Sequence, residues 1–553
     1  MIAGLPPAAG LYAAAVPTML GALFMSSRHV VAGPTNAVSL LVGAAIAAMP
    51  GDPVVLALQL ALLIGLFQLL AGLLNLGALV DYVSGSVLRG YITGAAALIA
   101  VGQLHNVTRT DPHGGDLHLR VWGWAGDLGS AHLPSVGLAL GAIAIILGIR
   151  AWRPKAPASV VAMVVGAVLV QLTHLDDGGV RLIRDLGSTS DVSMWPVLPP
   201  MTGLAELAPI ALAATVLSLV ESSSVGRALA VQSGQRLDTS VDFVGLGMAN
   251  VASSFFGGYA VSGSLSRSVL NARNGAMSRA SGLLAGVWML GMLAVALPWI
   301  ALVPIPVLAG VLMVVAADLV ALDRIRAILR SGWGGRVAFA ATLFGTWLFR
   351  LDHAIYLGVT ISIVLFLRNA RLLTVRELAV GESGRLREID PEQTDETVRT
   401  SRAVRVLHVE GALFFGAANE LRDAVERVAT ERGVHAVVLR MKRTQGLDYT
   451  TAAAITDLAR AMRGRGQHLI LVGMREDTAD MLRRVGFVEE AGDSSFYPSR
   501  PRWFEAMDAA LTEALRRTAD AHTDDDCPLH DYLERRARER LPQVDEDSKE
   551  KVV

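Results

Sequence analysis

The chain has 553 residues, 52% hydrophobic and 18% charged, with a net charge of −1. So apolar a chain is excluded from the ordinary soluble class unless it carries a very large core, and its balanced charge gives no argument for a nucleic-acid partner; none is expected. A single cysteine, Cys527, excludes an internal disulfide framework and suits a cytoplasmic tail.

The composition changes near residue 370. A bilayer core about 30 Å thick needs about 20 apolar residues per helix. Apolar runs follow one another at 10–24, 37–48, 54–74, 90–101, 133–149, 157–172, 207–220, 243–256, 281–303, 306–320, 337–349 and 354–367. They predict an all-α polytopic membrane domain over residues 1–372, with no charged leader of the signal-peptide kind ahead of the first run. Basic residues set its orientation. Arg28, the group Arg150, Arg153 and Lys155, the pairs Arg227/Arg236 and Arg273/Arg279, the run Arg324, Arg326, Arg330 and Arg336, and the pair Arg368/Arg371 place most short loops in the cytoplasm. The longer loops near 106–132 and 174–205 are then external.

Beyond residue 371 the pattern is that of a cytoplasmic α/β domain, spanning 379–518. VRVLHVEG (404–411), HAVVLRM (435–441) and HLILVGM (468–474) read as strands, and 451–466 and 476–487 as helices between and after them. The end, 519–553, contains DDD, RRARER and DEDSKE and predicts a charged tail that is either a solvated helix or flexible.

Several chemistries lack their motifs. There is no GxxxxGK[ST] loop, no HExxH and no CxxC, so no ATP engine, no metal and no cofactor is expected. No nucleophile–base constellation points to an enzyme. RGRGQ (463–467) follows a helix and reads as its C-cap.

Two polar islands interrupt the apolar domain: SRHVVAGPTNAVSLLVGAAI (27–46) and GGYAVSGSLSRSVLN (257–271). Non-helical backbone at membrane depth survives only where protein or water satisfies it. Gly33 and Pro34 break the first segment, with Pro34 suited to a first helical turn; the second becomes helix-competent from Leu265. Interrupted helices in corresponding places of two halves are the mark of an inverted-repeat transporter. Each half-helix start carries unpaired N–H groups and about half a positive charge, so two facing starts form an anion site. Arg267 adds a full charge there, and Glu221, the lone carboxylate of 212–230, is its expected partner. Ser222, Ser223, Ser224 and Ser262 are either packing residues or substrate contacts.

These residues resemble a known pattern. LPPAAGLYAA (5–14), SSRHVVAGPTNAVSLL (26–41) and GGYAVSGSLSRSVLN (257–271) are similar to signatures of the SulP, or sulfate permease, family, and the C-terminal domain resembles a STAS domain. The resemblance implies a seven-plus-seven inverted repeat of the uracil-permease type, a core domain moving against a gate domain, and a homodimer. It places substrate near Pro34, Thr35, Asn36 and Ala37 and near Leu265, Ser266 and Arg267, with Glu221 as the proton-coupling carboxylate. The implied activity is proton-coupled uptake of a small anion, sulfate first; a C4-dicarboxylate, sodium-coupled bicarbonate, or exchanger or channel behaviour are the alternatives. Sodium-coupled members carry an aspartate with a threonine one turn later, where this chain has Glu221 and Val225. In the family most of a first helix precedes LPP, whereas Met1 stands a few residues before it here, so a truncated first helix is expected. In the STAS-like domain, LDYTT (447–451) places Thr450 where related soluble proteins are phosphorylated; helix N-capping explains the same composition and is the reading favoured here.

Overall fold

A computed structural model describes residues 2–111, 117–154, 156–186, 196–349, 351–370, 373–389, 398–500, 504–521 and 527–540. Lys155, Arg371, the acidic run 524–526 and the end 541–553 lie outside the described residues. The chain divides into two units, Met1–Val364 and Leu365–Val553.

The first unit is helical. Its elements in chain order are α1 (Pro7–Phe24), β1 (Ala32–Gly33), α2 (Asn36–Ala48), α3 (Pro53–Leu73), α4 (Gly85–Thr108), α5 (Leu117–Gly126), α6 (Leu133–Trp152), α7 (Ala158–Thr173) and α8 (Leu204–Ser233). Then follow α9 (Thr239–Phe255), β2 (Ser262–Gly263), α10 (Leu265–Arg273), α11 (Ala280–Ile300), α12 (Ile305–Leu319), α13 (Leu322–Arg330), α14 (Trp333–Leu348) and α15 (Leu351–Ala370). Among the described residues seven helices are long and apolar enough to cross a membrane, and α2, α7 and most of α11 are shorter apolar helices. This is a polytopic membrane protein. Helix α8 is longer than the 207–220 run predicted. Small serines fit a buried helix, so it passes through Glu221–Ser224 and runs on to Ser233.

The packing separates two bundles. In one, α1 lies on α9 and α11, and α3 on α8 and α9; in the other, α4 lies on α12 and α14, and α12 on α6 and α7. The pairing encodes the expected inverted repeat. If α1, α2, α3, α4, α6 and α7 correspond to α9, α10, α11, α12, α14 and α15, then α3 on α9 is the mate of α1 on α11. Likewise α4 on α14 is the mate of α12 on α6. The short helices α5 and α13 occupy matching places. Small residues permit the closest approach: a Cβ on Gly65 of α3 would lie 2.7 Å from the backbone nitrogen of Val251 on α9.

The second unit is a mixed sheet with helices on both faces. Strands β3 (Thr374–Gly381), β4 (Leu386–Ile389), β5 (Val398–Arg399), β6 (Val404–Ala412), β7 (Ala436–Gln445), β8 (His468–Val472) and β9 (Phe496–Tyr497) are joined by α16 (Ala418–Ala429), α17 (Tyr449–Gly464), α18 (Glu476–Arg484) and α19 (Phe487–Ala491). They are followed by α20 (Glu505–Arg517) and α21 (Pro528–Arg540). The order is β4-β3-β6-β7-β8-β9, with β5 also on β3; β6 to β9 are parallel and β3 is antiparallel to its neighbours. Leu407 and Val409 face one core and Val404 and Val406 the other, the period-2 alternation of a strand covered on both sides.

Two expectations need correction here. The sheet begins at Thr374, ahead of residue 379. The segment expected to be a solvated helix or a flexible tail is helical over Pro528–Arg540 but packed against the sheet: Cys527, Leu529 and Tyr532 are 8%, 3% and 4% exposed. These side chains dock the helix, and Arg536 joins them by pairing with the buried Asp508 at 3.6 Å and lying over the Phe504 ring, while Glu534 and Arg538 stay exposed.

Candidate functional site

The two broken segments meet inside the first bundle. Strands β1 and β2 pair antiparallel, Ala32 opposite Gly263 and Gly33 opposite Ser262. The Ser264 N–H donates to the Val31 carbonyl at 3.0 Å, and the Val31 N–H donates to Ser268 Oγ at 2.9 Å. Side chains from flanking helices complete what the short ladder leaves open. Asn250 of α9 accepts from the Val261 N–H at 2.7 Å and donates to its carbonyl at 3.0 Å and to Gln68 Oε1 of α3 at 2.8 Å. Gln68 donates to Ser218 Oγ at 3.0 Å, and Thr18 donates to the Ala32 carbonyl. Ala260, Val261 and Ser262 are fully buried, so these are the groups that make non-helical backbone tolerable in an apolar bundle. Asn250, Gln68, Ser218 and Thr18 escape sequence reasoning; an isolated amide in an apolar run is the available signal.

The pairing aims two helix starts at one place. The N-cap residues Thr35 and Ser264 are extended, and neither side chain caps its own helix. The first-turn N–H groups of α2 (from Asn36) and of α10 (from Leu265) have no intrahelical acceptor, the property that makes a helix start receptive to an anion. The Thr35 hydroxyl donates to Glu221 Oε2 at 2.9 Å. The Arg267 guanidinium donates to the Pro34 carbonyl at 2.7 Å. It also lies against Gly33, where a Cβ would stand 2.3 Å from Arg267 Nη1. On the other strand, a Cβ on Gly263 would meet Ser222 Oγ at 2.6 Å and Ser222 Cα at 2.9 Å.

The direct Glu221–Arg267 pair expected from sequence is not formed. Instead each contacts a different residue of the Pro34–Thr35 dipeptide, the carboxylate the Thr35 hydroxyl and the guanidinium the Pro34 carbonyl. The arginine donates to a carbonyl and the carboxylate accepts from a hydroxyl, and among the described residues the guanidinium makes no ion pair.

Pro34, Thr35 and Asn36, with Ser39 and Tyr259, line a cavity of about 870 Å³. Apart from Gln171, its remaining walls are apolar and come from both bundles, including Met163 and Val164 of α7 and Leu308 and Leu312 of α12. The Tyr259 hydroxyl and Ser39 Oγ share a hydrogen bond of 2.9 Å at its polar end. Ala37 is buried behind the start of α2, whereas Leu265 and Ser266 are exposed, and 265–267 are not among the cavity walls. The site residues are thus brought together by strand pairing, with the cavity reaching the α2 side of the group.

In the second unit, Asp448 caps α17: its carboxylate accepts from the Thr451 N–H at 2.9 Å and, across the turn, from the Phe415 N–H at 2.8 Å. Thr450 is exposed on the first turn. Among the described residues two groups hold three donor atoms in metal-binding proximity, His174/Asp176/Asp177 and Glu388/His408/Glu410. Arginines already serve them: Arg184 on Asp176 at 3.1 Å, Arg376 on Glu388 at 2.7 Å, Arg443 on Glu410 and Arg440 on His408.

Comparison with known proteins follows the two units. Residues 1–342 match the sulfate permease family and residues 396–501 match the STAS domain. The chain is 28% identical to a protein of Mycobacterium tuberculosis (strain CDC 1551 / Oshkosh) described as a probable sulfate transporter, covering 92% of this chain and 91% of that one. Among solved structures it is similar in fold to the murine solute carrier 26 family member A9 anion transporter in its inward-facing state. That likeness has a TM-score of 0.81 at 17% identity, over 93% of this chain and 88% of the other. It is also similar to the transmembrane domain of a cyanobacterium bicarbonate transporter, BicA (TM-score 0.55, 22% identity, 66% of this chain and 90% of the other).

Proposed function

The chain belongs to the sulfate permease family of anion transporters, and we propose that it is a secondary active carrier of a small anion, sulfate first, driven by protons. The observation that carries this reading is the meeting of two helix starts and the Arg267 guanidinium on the Pro34–Thr35 dipeptide. A dianion there gains N–H donors from both first turns and a charge-assisted bond from Arg267, in surroundings where such bonds are stronger than in water.

Glu221 supplies the coupling. Ionised, it places a negative charge beside the dipeptide and opposes anion entry. Protonated, it leaves the helix starts and Arg267 unopposed. Proton and anion then load together, and the bundle of α1–α3 and α8–α11 moves against the bundle of α4, α6, α7, α12 and α14, with the cavity between them as the path. Val225, one helical turn after Glu221, is an apolar side chain 5% exposed and offers sodium no oxygen, which supports the proton as partner ion. A C4-dicarboxylate is the second reading, favoured by a cavity of about 870 Å³. A homodimer is the assembly we propose. In the STAS domain, the Asp448 cap accounts for LDYTT without a modification at Thr450.

Uptake by proteoliposomes tests this. Labelled sulfate, fumarate and bicarbonate are compared with and without an imposed pH gradient. Sulfate accumulation that follows the gradient is expected. Uptake indifferent to pH, or dependent on sodium, contradicts the proton-coupled reading.

A further inference from the structure

Helix α13 joins two membrane helices, α12 and α14, through short turns at 320–321 and 331–332. It follows the end of one and precedes the start of the other, so it stands at one end of that pair. It has no buried residue. Leu322, Ile325, Ile328 and Leu329 recur at helical spacing on one side, and Leu322 and Leu329 are 58% and 53% exposed. Arg324, Arg326 and Arg330 flank that apolar stripe, and Trp333 follows it, 70% exposed at the start of α14. This is the composition of a helix lying in a lipid–water interface.

A second observation concerns charge. Arg89, half-buried near the start of α4, and Arg324 lie on helices that touch, α4 and α13. Among the described residues neither guanidinium makes an ion pair; the acidic neighbour on α13, Asp323, pairs with Arg326 at 3.5 Å. Two cations on touching helices, neither with an ion-pair partner among the described residues, favour an anion beside them. The inverted repeat sharpens the point, because its matching helix on the opposite face, α5, carries one arginine, Arg120. The basic member lies on the face that the other arginine clusters assign to the cytoplasm, where the leaflet is anionic.

We infer that α13 and Arg89 form a binding site for the headgroup of an anionic phospholipid of the cytoplasmic leaflet, with the phosphate between Arg89 and Arg324 and the acyl chains along Leu322 and Leu329. The site sits on the α4–α12–α14 bundle, away from the Pro34–Arg267 group, and anchors that bundle to the inner leaflet while the other moves. This does not depend on which anion is carried.

The test uses the purified full-length chain and two probes, phosphatidylglycerol and phosphatidylcholine, with retained lipid counted by native mass spectrometry. Preferential retention of phosphatidylglycerol is expected, falling about fivefold for each arginine removed in Arg89→Gln and Arg324→Gln. Retention also falls as ionic strength rises, a readout that needs no variant. Equal retention of the two lipids, unchanged preference in the double variant, or displacement of the lipid by sulfate or inorganic phosphate would each overturn the assignment.

Discussion

The Arg267 guanidinium donates to the carbonyl of Pro34 across 233 residues of sequence, at 2.7 Å. That bond fixes a cation beside two helix starts and depends on the absence of a side chain at Gly33. The pairing of β1 with β2, the small residues at their crossing and the hydroxyl on Glu221 all serve this one approach.

Alanine at Gly33 places a Cβ 2.3 Å from Arg267 Nη1, and alanine at Gly263 places one 2.9 Å from the Cα of Ser222. A guanidinium can swing aside, but backbone cannot. Gly33→Ala is therefore expected to fold and to transport at least tenfold more slowly, with Arg267 displaced. Gly263→Ala is expected to lower both melting temperature and yield. Uptake assays paired with thermal unfolding in detergent separate the two outcomes; equal, mild effects from both would show that the crossing is not tightly packed.

Asn250→Leu removes the acceptor of the buried Val261 N–H and one partner of Gln68, while the Val261 carbonyl loses one of its two donors and keeps Ser218 Oγ at 3.2 Å. Unsatisfied buried groups cost about 1–3 kcal/mol each. The variant is expected to melt several degrees lower, and Asn250→Asp to lose less because an acceptor for the Val261 N–H survives. A melting curve like that of the unaltered chain would mean the segment finds other partners.

Glu221→Gln keeps the shape of the carboxylate and its bond from Thr35 but removes the titrating proton. Uptake by the unaltered protein is expected to fall as external pH rises. In the variant the pH dependence is expected to flatten, while exchange of labelled for unlabelled anion across the membrane continues. A pH profile of unchanged slope in Glu221→Gln would assign the proton to another group.

In the STAS domain, burial and then the Arg440 charge push His408 below its ordinary value of 6.5, with Glu388 opposing. His468 is lowered in the same way by burial and Arg517. For a lowered imidazole the folded state resists protonation. Stability is therefore complete above about 6.5 and declines as pH falls from there, until the folded value is passed. The domain's thermal transition is expected to move down between about pH 7 and pH 5, and less steeply in His408→Gln. A transition that rises over this interval would reverse the sign.

Much of this was legible in the chain. Apolar runs of spanning length announced most of the membrane helices, and Gly33–Pro34 and the serine-rich 257–264 marked where the helices break. Strands β6, β7 and β8 were plain because both their faces are buried. What escaped notice lacked a periodic signal. Strands β1 and β2 have two residues each, and nothing local predicts that they pair. Asn250 and Gln68 are single amides in apolar helices, and only the fold reveals that they hold Val261. Glu221 and Arg267 were expected to touch because opposite charges in an apolar medium should; the Pro34–Thr35 dipeptide gave each a neutral partner instead. The end helix α21 was masked by its charge, since three buried side chains settle its packing.

The most direct measurement is equilibrium binding of radiolabelled sulfate to the purified chain, comparing the unaltered protein with Arg267→Ala and Arg267→Lys. A lost charge-assisted bond of about 1.5–3 kcal/mol weakens binding by at least about tenfold. The account predicts that loss for Arg267→Ala, with partial recovery in Arg267→Lys, which keeps the charge and not the fork. Sulfate bound as tightly by Arg267→Ala as by the unaltered protein would contradict it, because the anion would then lie elsewhere than between the starts of α2 and α10.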